Sequence, residues 1–117
     1  MIDRGIALIH EDLDRADSLS NIVYYHAIAL QKDSLIAKTH ALMGYVAYYR
    51  GNYSMSSVYY KKALGSAYYQ DKLERRQALL NNLGVNYEFQ HQYAEADQAY
   101  LKSLEIARKL GDSLQHP

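Results

Sequence analysis

Apolar residues recur at helical spacing along the whole chain. Ile2, Ile6, Ile9 and Leu13 fall at i, i+4, i+7 and i+11, one stripe of an α-helix. Asp14-Arg15-Ala16-Asp17 interrupts that stripe with capping side chains, so a second helix is expected from about Asp17 to Lys32. Asp33 and Ser34 can cap a third, with Ile36, His40, Met43, Gly44 and Ala47 on one face. Gly51-Asn52 is the next stop signal. A fourth helix from Tyr53 lines up Tyr60, Ala63, Leu64 and Ala67. Asp71 opens a fifth, in which Leu80, Leu83, Gly84 and Tyr87 share a face. After Gln90-His91-Gln92, a sixth carries Ala96, Tyr100, Ser103, Leu104 and Ala107. It is expected to end at Leu110-Gly111, where glycine can take the left-handed C-cap conformation. No stretch alternates with period two over strand length, and the sole proline is Pro117. The pattern predicts an all-α chain of six helices, paired as three antiparallel hairpins.

The pattern also repeats. Gly44 and Gly84 lie forty residues apart, and Tyr53, Tyr60, Lys62, Leu64 and Ala67 are matched by Tyr93, Tyr100, Lys102, Leu104 and Ala107. A fixed period of this size marks a repeat architecture, which serves as a binding surface far more often than as a catalyst.

The second and third units resemble the tetratricopeptide repeat (TPR). The resemblance rests on Leu83-Gly84-x-x-Tyr87 followed by Tyr93, Ala96, Tyr100 and Leu104, and on Gly44, Gly51-Asn52-Tyr53, Tyr60, Ala63 and Leu64. It departs at Ala47, where the family has tyrosine, and at Ser56, where it has alanine. It covers residues 37–111 well and the first unit, which lacks the glycine and has Leu8 nearest that place, less well. The units are drawn at 1–36, 37–76 and 77–111, with a tail at 112–117. The resemblance implies a right-handed superhelix of about three hairpins, a TPR-like α-solenoid. The period exceeds the family norm of about 34 residues. The extra length falls at Ser66–Gln70 and Asp71–Arg75, which predicts two helices each about a turn longer. Long repeats with Leu80-Asn81-Asn82-Leu83-Gly84 and a closing Leu110-Gly111-Asp112 look like arrays of kinesin light chains and of bacterial sensory and regulatory proteins.

Composition narrows the function. Nearly half the residues are apolar, enough for one continuous core. Lys+Arg and Asp+Glu balance at 13 each, so no basic field tracks a phosphate backbone, which argues against a nucleic-acid partner and a helical-repeat RNA binder. There is no cysteine, so disulfides and cysteine zinc sites are excluded. The most apolar stretch, Leu35 to Tyr49, holds Lys38 and His40 and is too short to span a bilayer. The reading favours a cytoplasmic location, or a periplasmic one if a longer parent carries a signal segment. Thirteen tyrosines against one phenylalanine suit half-buried seams and binding surfaces.

In the TPR family the first helix of each hairpin lines a concave groove. Carried over, its positions are Lys38, Ala41, Tyr45, Tyr48 and Tyr49, then Ala78, Asn81, Val85, Glu88 and Phe89. Lys38, Ala41, Tyr45 and Tyr48 follow i, i+3, i+7 and i+10 along one face. Packing competes as the role of Tyr45 and Tyr49, whereas Tyr48 is expected to face solvent. Asn81 or Asn82 can both donate to and accept from a peptide backbone, or else bond between hairpins. The clamp by which some TPR domains grip a terminal carboxylate is not matched: its places fall on Gly5 and Ile9, Leu42, Ala78 and Asn82.

Catalytic chemistry finds no footing. No two of His10, His26, His40, His91 and His116 are spaced i, i+4, and Glu11, Asp12, Asp14 and Asp17 read as helix-end residues rather than a metal or acid–base cluster. No phosphate loop or nucleophile elbow is present, and no cofactor is implied. The leading expectation is a protein- or peptide-binding scaffold using the concave face, not an enzyme. The alternative is a sensory or regulatory segment of a larger signalling protein, such as a sensor kinase or transcriptional regulator, acting through self-association. In that reading Ala96, Tyr100, Leu104 and Ala107 form an open face that would meet a further hairpin or a second copy.

Overall fold

The computed structural model describes the backbone of residues 2–115 and the side chains of residues 12–111. The described residues form five α-helices: α1 (Ile2–Leu30), α2 (Asp33–Tyr49), α3 (Tyr53–Leu64), α4 (Leu73–Phe89) and α5 (Tyr93–Gln115), with a 3-10 turn, Ala67–Tyr69, between α3 and α4. No strand occurs among the described residues. The main packing contacts join helices consecutive in sequence, and the 3-10 turn packs on α2 and α4. Facing pairs show that neighbours run antiparallel: Gly44 meets Tyr60 and Tyr48 meets Tyr53, while Gly84 meets Tyr100.

Three of the sequence expectations are corrected. The expected first and second helices are one, because Asp14-Arg15-Ala16-Asp17 contains neither glycine nor proline to break the ladder. Asp14 and Asp17 do not cap a helix end. Both reach Arg50, at the C-terminal end of α2, and tie α1 to it. Nor do the helices flanking residues 65–72 run longer. The extra length is spent on Ser66 in extended conformation and on the 3-10 turn. Burial holds that segment down, since Tyr69 is 6% exposed and belongs to the central cluster with Ala37, Ala41, Tyr60, Ala63, Leu79 and Leu83. Arg76 Nη1 and Gln70 Nε2 both donate to Leu64 O, at 3.0 and 3.1 Å, closing the C-terminal end of α3. Finally, α5 passes through Gly111 instead of ending there. The stripe Ile2, Ile6 and Ile9 lies outside the described side chains.

The two glycines explain the repeat. A Cβ on Gly44 would lie 2.6 Å from the Tyr60 ring, and one on Gly84 would lie 2.6 Å from the Tyr100 ring. Each tyrosine therefore lies flat on the backbone of the preceding helix, an approach only glycine permits. The three short turns, of two residues after α1 and three after α2 and α4, are also alike. Gln31, Gly51 and His91 have positive φ (53°, 78° and 59°). The next residue's N–H closes back on the helix: Lys32 N to Ala27 O, Asn52 N to Ala47 O and Gln92 N to Tyr87 O.

Burial extends the repeat into α1. Ser20 and Ala27 are fully buried, as are Ser56 and Ala63, and Ala96 and Ser103 are nearly so. With the tyrosine between them they form Ser20-x3-Tyr24-x2-Ala27, Ser56-x3-Tyr60-x2-Ala63 and Ala96-x3-Tyr100-x2-Ser103. The first two are thirty-six residues apart, not forty, which hides them from a search at the longer period.

Candidate functional site

One face of α2 presents Lys38, Ala41, Leu42 and Tyr45 at i, i+3, i+4 and i+7. The 3-10 turn lies opposite and brings Tyr68 and Tyr69, and the first turn of α4 closes the far side with Leu73, Glu74 and Arg75. Together with Lys72 they enclose a groove of about 650 Å³. The inserted segment is thus what makes a groove here. It stands between α2 and α4, and α4 contributes only its beginning.

The groove is aromatic and cationic. The Tyr68 and Tyr69 rings meet edge to face at 4.9 Å, and Tyr45 stands edge-on to Tyr60 at 5.7 Å. Lys72 Nζ lies 3.8 Å from the Tyr68 ring centre and donates to Tyr68 O at 2.8 Å. Lys38 Nζ lies 5.2 Å from the same ring. Burial pushes the Tyr69 phenol pKa up, helped by neighbouring Tyr68 and Tyr45 and opposed by the positive charge of Arg75, so Arg75 acts on the groove's aromatic wall.

Of the residues expected to bind, Lys38 and Tyr45 line this groove. Tyr48 and Tyr49 do not. They meet each other edge to face at 5.2 Å at the end of α2, where Tyr48 also packs on Tyr53 and Phe89. Tyr53 and Phe89 stack at 4.5 Å. Tyr48, expected to face solvent, is half-buried by those rings, and Tyr49, for which packing competed, is 68% exposed. On α4, Asn81 and Glu88 are exposed, and Val85 and Asn82 are half-buried. None of the four touches the groove. Glu88 stands beside Tyr100, whose pKa is pushed up to about 12 by burial first and by that carboxylate second. Asn82 lies beside the Tyr60 hydroxyl, between hairpins.

The polar centre of the molecule was not anticipated. Ser56 Oγ donates to Gly44 O at 2.7 Å and accepts from Asn86 Nδ2 at 2.9 Å, linking α2, α3 and α4. Ser56 is the position where the TPR pattern has alanine, and that departure was the available signal. Tyr60 Oη and Asn86 Oδ1 are buried with no hydrogen-bond partner among the described residues. Burial pushes the Tyr60 phenol pKa far up. Tyr68, Tyr69, Lys72 and Arg75 line the groove without being among the residues expected to bind, and their signal was the lengthened period that contains them.

The open face expected on α5 is mostly closed. Ala96 is 1% exposed, and Tyr100 lies on Gly84, so both belong to the α4–α5 seam with Ala99, Ser103 and Ile106. Ala107 is half-buried, while Leu104 is 47% and Leu101 58% exposed. Among the described residues no three His, Asp or Glu side chains are placed to hold a metal ion, and no helix is long and apolar enough to cross a membrane. No family model, curated protein or solved structure matches this chain.

Proposed function

We propose that this chain is a helical-repeat scaffold of TPR-like kind that binds an extended segment of a protein or peptide. The observation that carries the reading is the groove between α2, the 3-10 turn and the start of α4. It combines size with half-exposed aromatic rings, which offer contact area at low entropic cost. The supporting argument for a scaffold is mechanical. The glycine–tyrosine seams seat α3 on α2 and α5 on α4, Ser56 links α2, α3 and α4, and a pre-formed surface binds without a large ordering cost.

The test is site-specific photocrosslinking in the cells that express the chain. A benzophenone side chain replaces Leu42 in the groove or, as control, Lys109 on α5, both exposed. The expected result is a discrete adduct from position 42, absent from position 109 and lost when Tyr45→Ala and Tyr68→Ala are added. Equal labelling at both positions, or an adduct indifferent to the two tyrosines, would overturn the reading.

A second reading, self-association through α5, has its own observation. Leu64 is half-buried where α4 packs on α3, but its counterpart forty residues on, Leu104, is 47% exposed. Leu101, on the same helix, is exposed as well.

A further inference from the structure

Taking the groove reading as its premise, the inference is this: we propose that the groove is specific for an acidic segment, whose side-chain carboxylates are met by Lys38 and Arg75 and whose apolar residues lie against Tyr45 and Tyr68.

Charge is separated within a neutral molecule. The chain as a whole carries formal charge zero, yet the groove lining holds Lys38, Lys72 and Arg75 against one carboxylate, Glu74. Only some of these charges are already satisfied. Lys72 lies 3.4 Å from Asp71 Oδ1 and is bonded to Tyr68 O, so it is part of the wall. Lys38 and Arg75 make no ion pair among the described residues, and both are exposed. They stand on opposite walls, one on α2 and one on the first turn of α4, with the tyrosines between them. Two unpaired cations flanking an aromatic floor are complementary to carboxylates separated by an apolar residue, and a basic segment would meet like charge at both rims.

A random dodecapeptide library, displayed with its C-termini fused so that side chains supply the only acids, is panned on the wild-type chain and on Lys38→Glu/Arg75→Glu. Circular dichroism confirms that the variant is folded. The wild type is expected to enrich peptides of net negative charge. The variant loses that bias, and an enriched peptide binds it at least about tenfold more weakly by fluorescence anisotropy. Lys38→Gln/Arg75→Gln gives an intermediate loss, and added salt weakens wild-type binding.

Enrichment without acidic bias, or an acidic bias that survives the charge reversal, overturns the inference. If the neutral peptides so enriched are lost on Tyr45→Ala, the groove still binds peptide and only the acidic specificity falls. No enrichment over a blank surface removes both readings. Displacement of the peptide by an equal concentration of single-stranded polyuridine would instead assign the groove to a phosphate backbone. A dimer abolished by Lys38→Glu/Arg75→Glu would assign it to a second copy.

Discussion

Tyr60 and Tyr100 hold equivalent places but not equivalent surroundings. Tyr60 is fully buried, whereas Tyr100 keeps part of its ring at the surface. Gly44→Ala would drive a methyl into a ring that has nowhere to go, and overpacking of this kind costs about 1–3 kcal/mol, more than the helix propensity gained from alanine. Gly84→Ala would push Tyr100 outward, at smaller cost. Urea denaturation of the two variants should therefore rank Gly44→Ala as clearly the less stable. Equal midpoints would contradict the packing described. His40 offers a second test. Its ring lies between Tyr24 at 5.4 Å and Tyr59 at 6.3 Å. Burial first, and Lys62 second, hold its pKa below the ordinary 6.5. Unfolding then takes up a proton, so the stabilisation is fully present above about pH 6.5 and is lost as pH falls through the lower folded value. The urea midpoint should fall between pH 7.5 and pH 5.5, and His40→Gln should flatten that fall. Legibility at this scale was mixed. The Gly44–Tyr60 pairing shows as a spacing, but the neutral state of His40 depends on rings brought from α1 and α3.

The long α1 is the element on which local pattern and structure part. Four residues rich in aspartate read as a helix boundary, because aspartate is a good cap and nothing in a sequence window shows what else it could bond. Arg50, thirty-six residues beyond Asp14, supplies that alternative. Ser18→Pro separates the two arrangements. Ser18 is exposed, so the substitution tests the backbone alone. At the start of a helix capped by Asp17 proline would be tolerated, since the first N–H there needs no partner. Inside a continuous helix it removes a hydrogen bond and clashes with the preceding turn, at about 3 kcal/mol. A loss of that size in urea denaturation, with reduced helical ellipticity, is the expected outcome. An unchanged midpoint would restore the break. The insert between α3 and α4 carries the same lesson. Its length was plain in the repeat period, but its form was decided by the core place taken by Tyr69.

At the scale of the molecule, packing runs mainly between consecutive helices, and the radius of gyration is 16.0 Å against about 13 Å for a compact chain of this length. An extended arrangement of helices leaves more of their side faces at the surface, and the exposed Leu101 and Leu104 on α5 lie on such a face. If they mediate self-association, sedimentation velocity should show a concentration-dependent rise in mass. Leu101→Glu/Leu104→Glu should abolish it without changing helical content. A monomer at every concentration tested would remove that reading and leave the groove untouched.

The all-helical character, the repeat and the close seats of Gly44 and Gly84 were determined by the sequence itself. Each is a short-range property: apolar spacing sets the helix, and absence of a Cβ sets the approach distance. Which tyrosines line the groove was not determined there. Adjacent residues on a helix differ in direction by only about 100°, and whether a ring is core or surface depends on what packs beside it. Phe89 and Tyr53 took Tyr48 into a cluster. The 3-10 turn brought Tyr68 and Arg75 across from Tyr45 and Lys38. Only the tertiary structure decided where the groove lies, because its walls come from segments thirty residues apart that meet around the buried Tyr69.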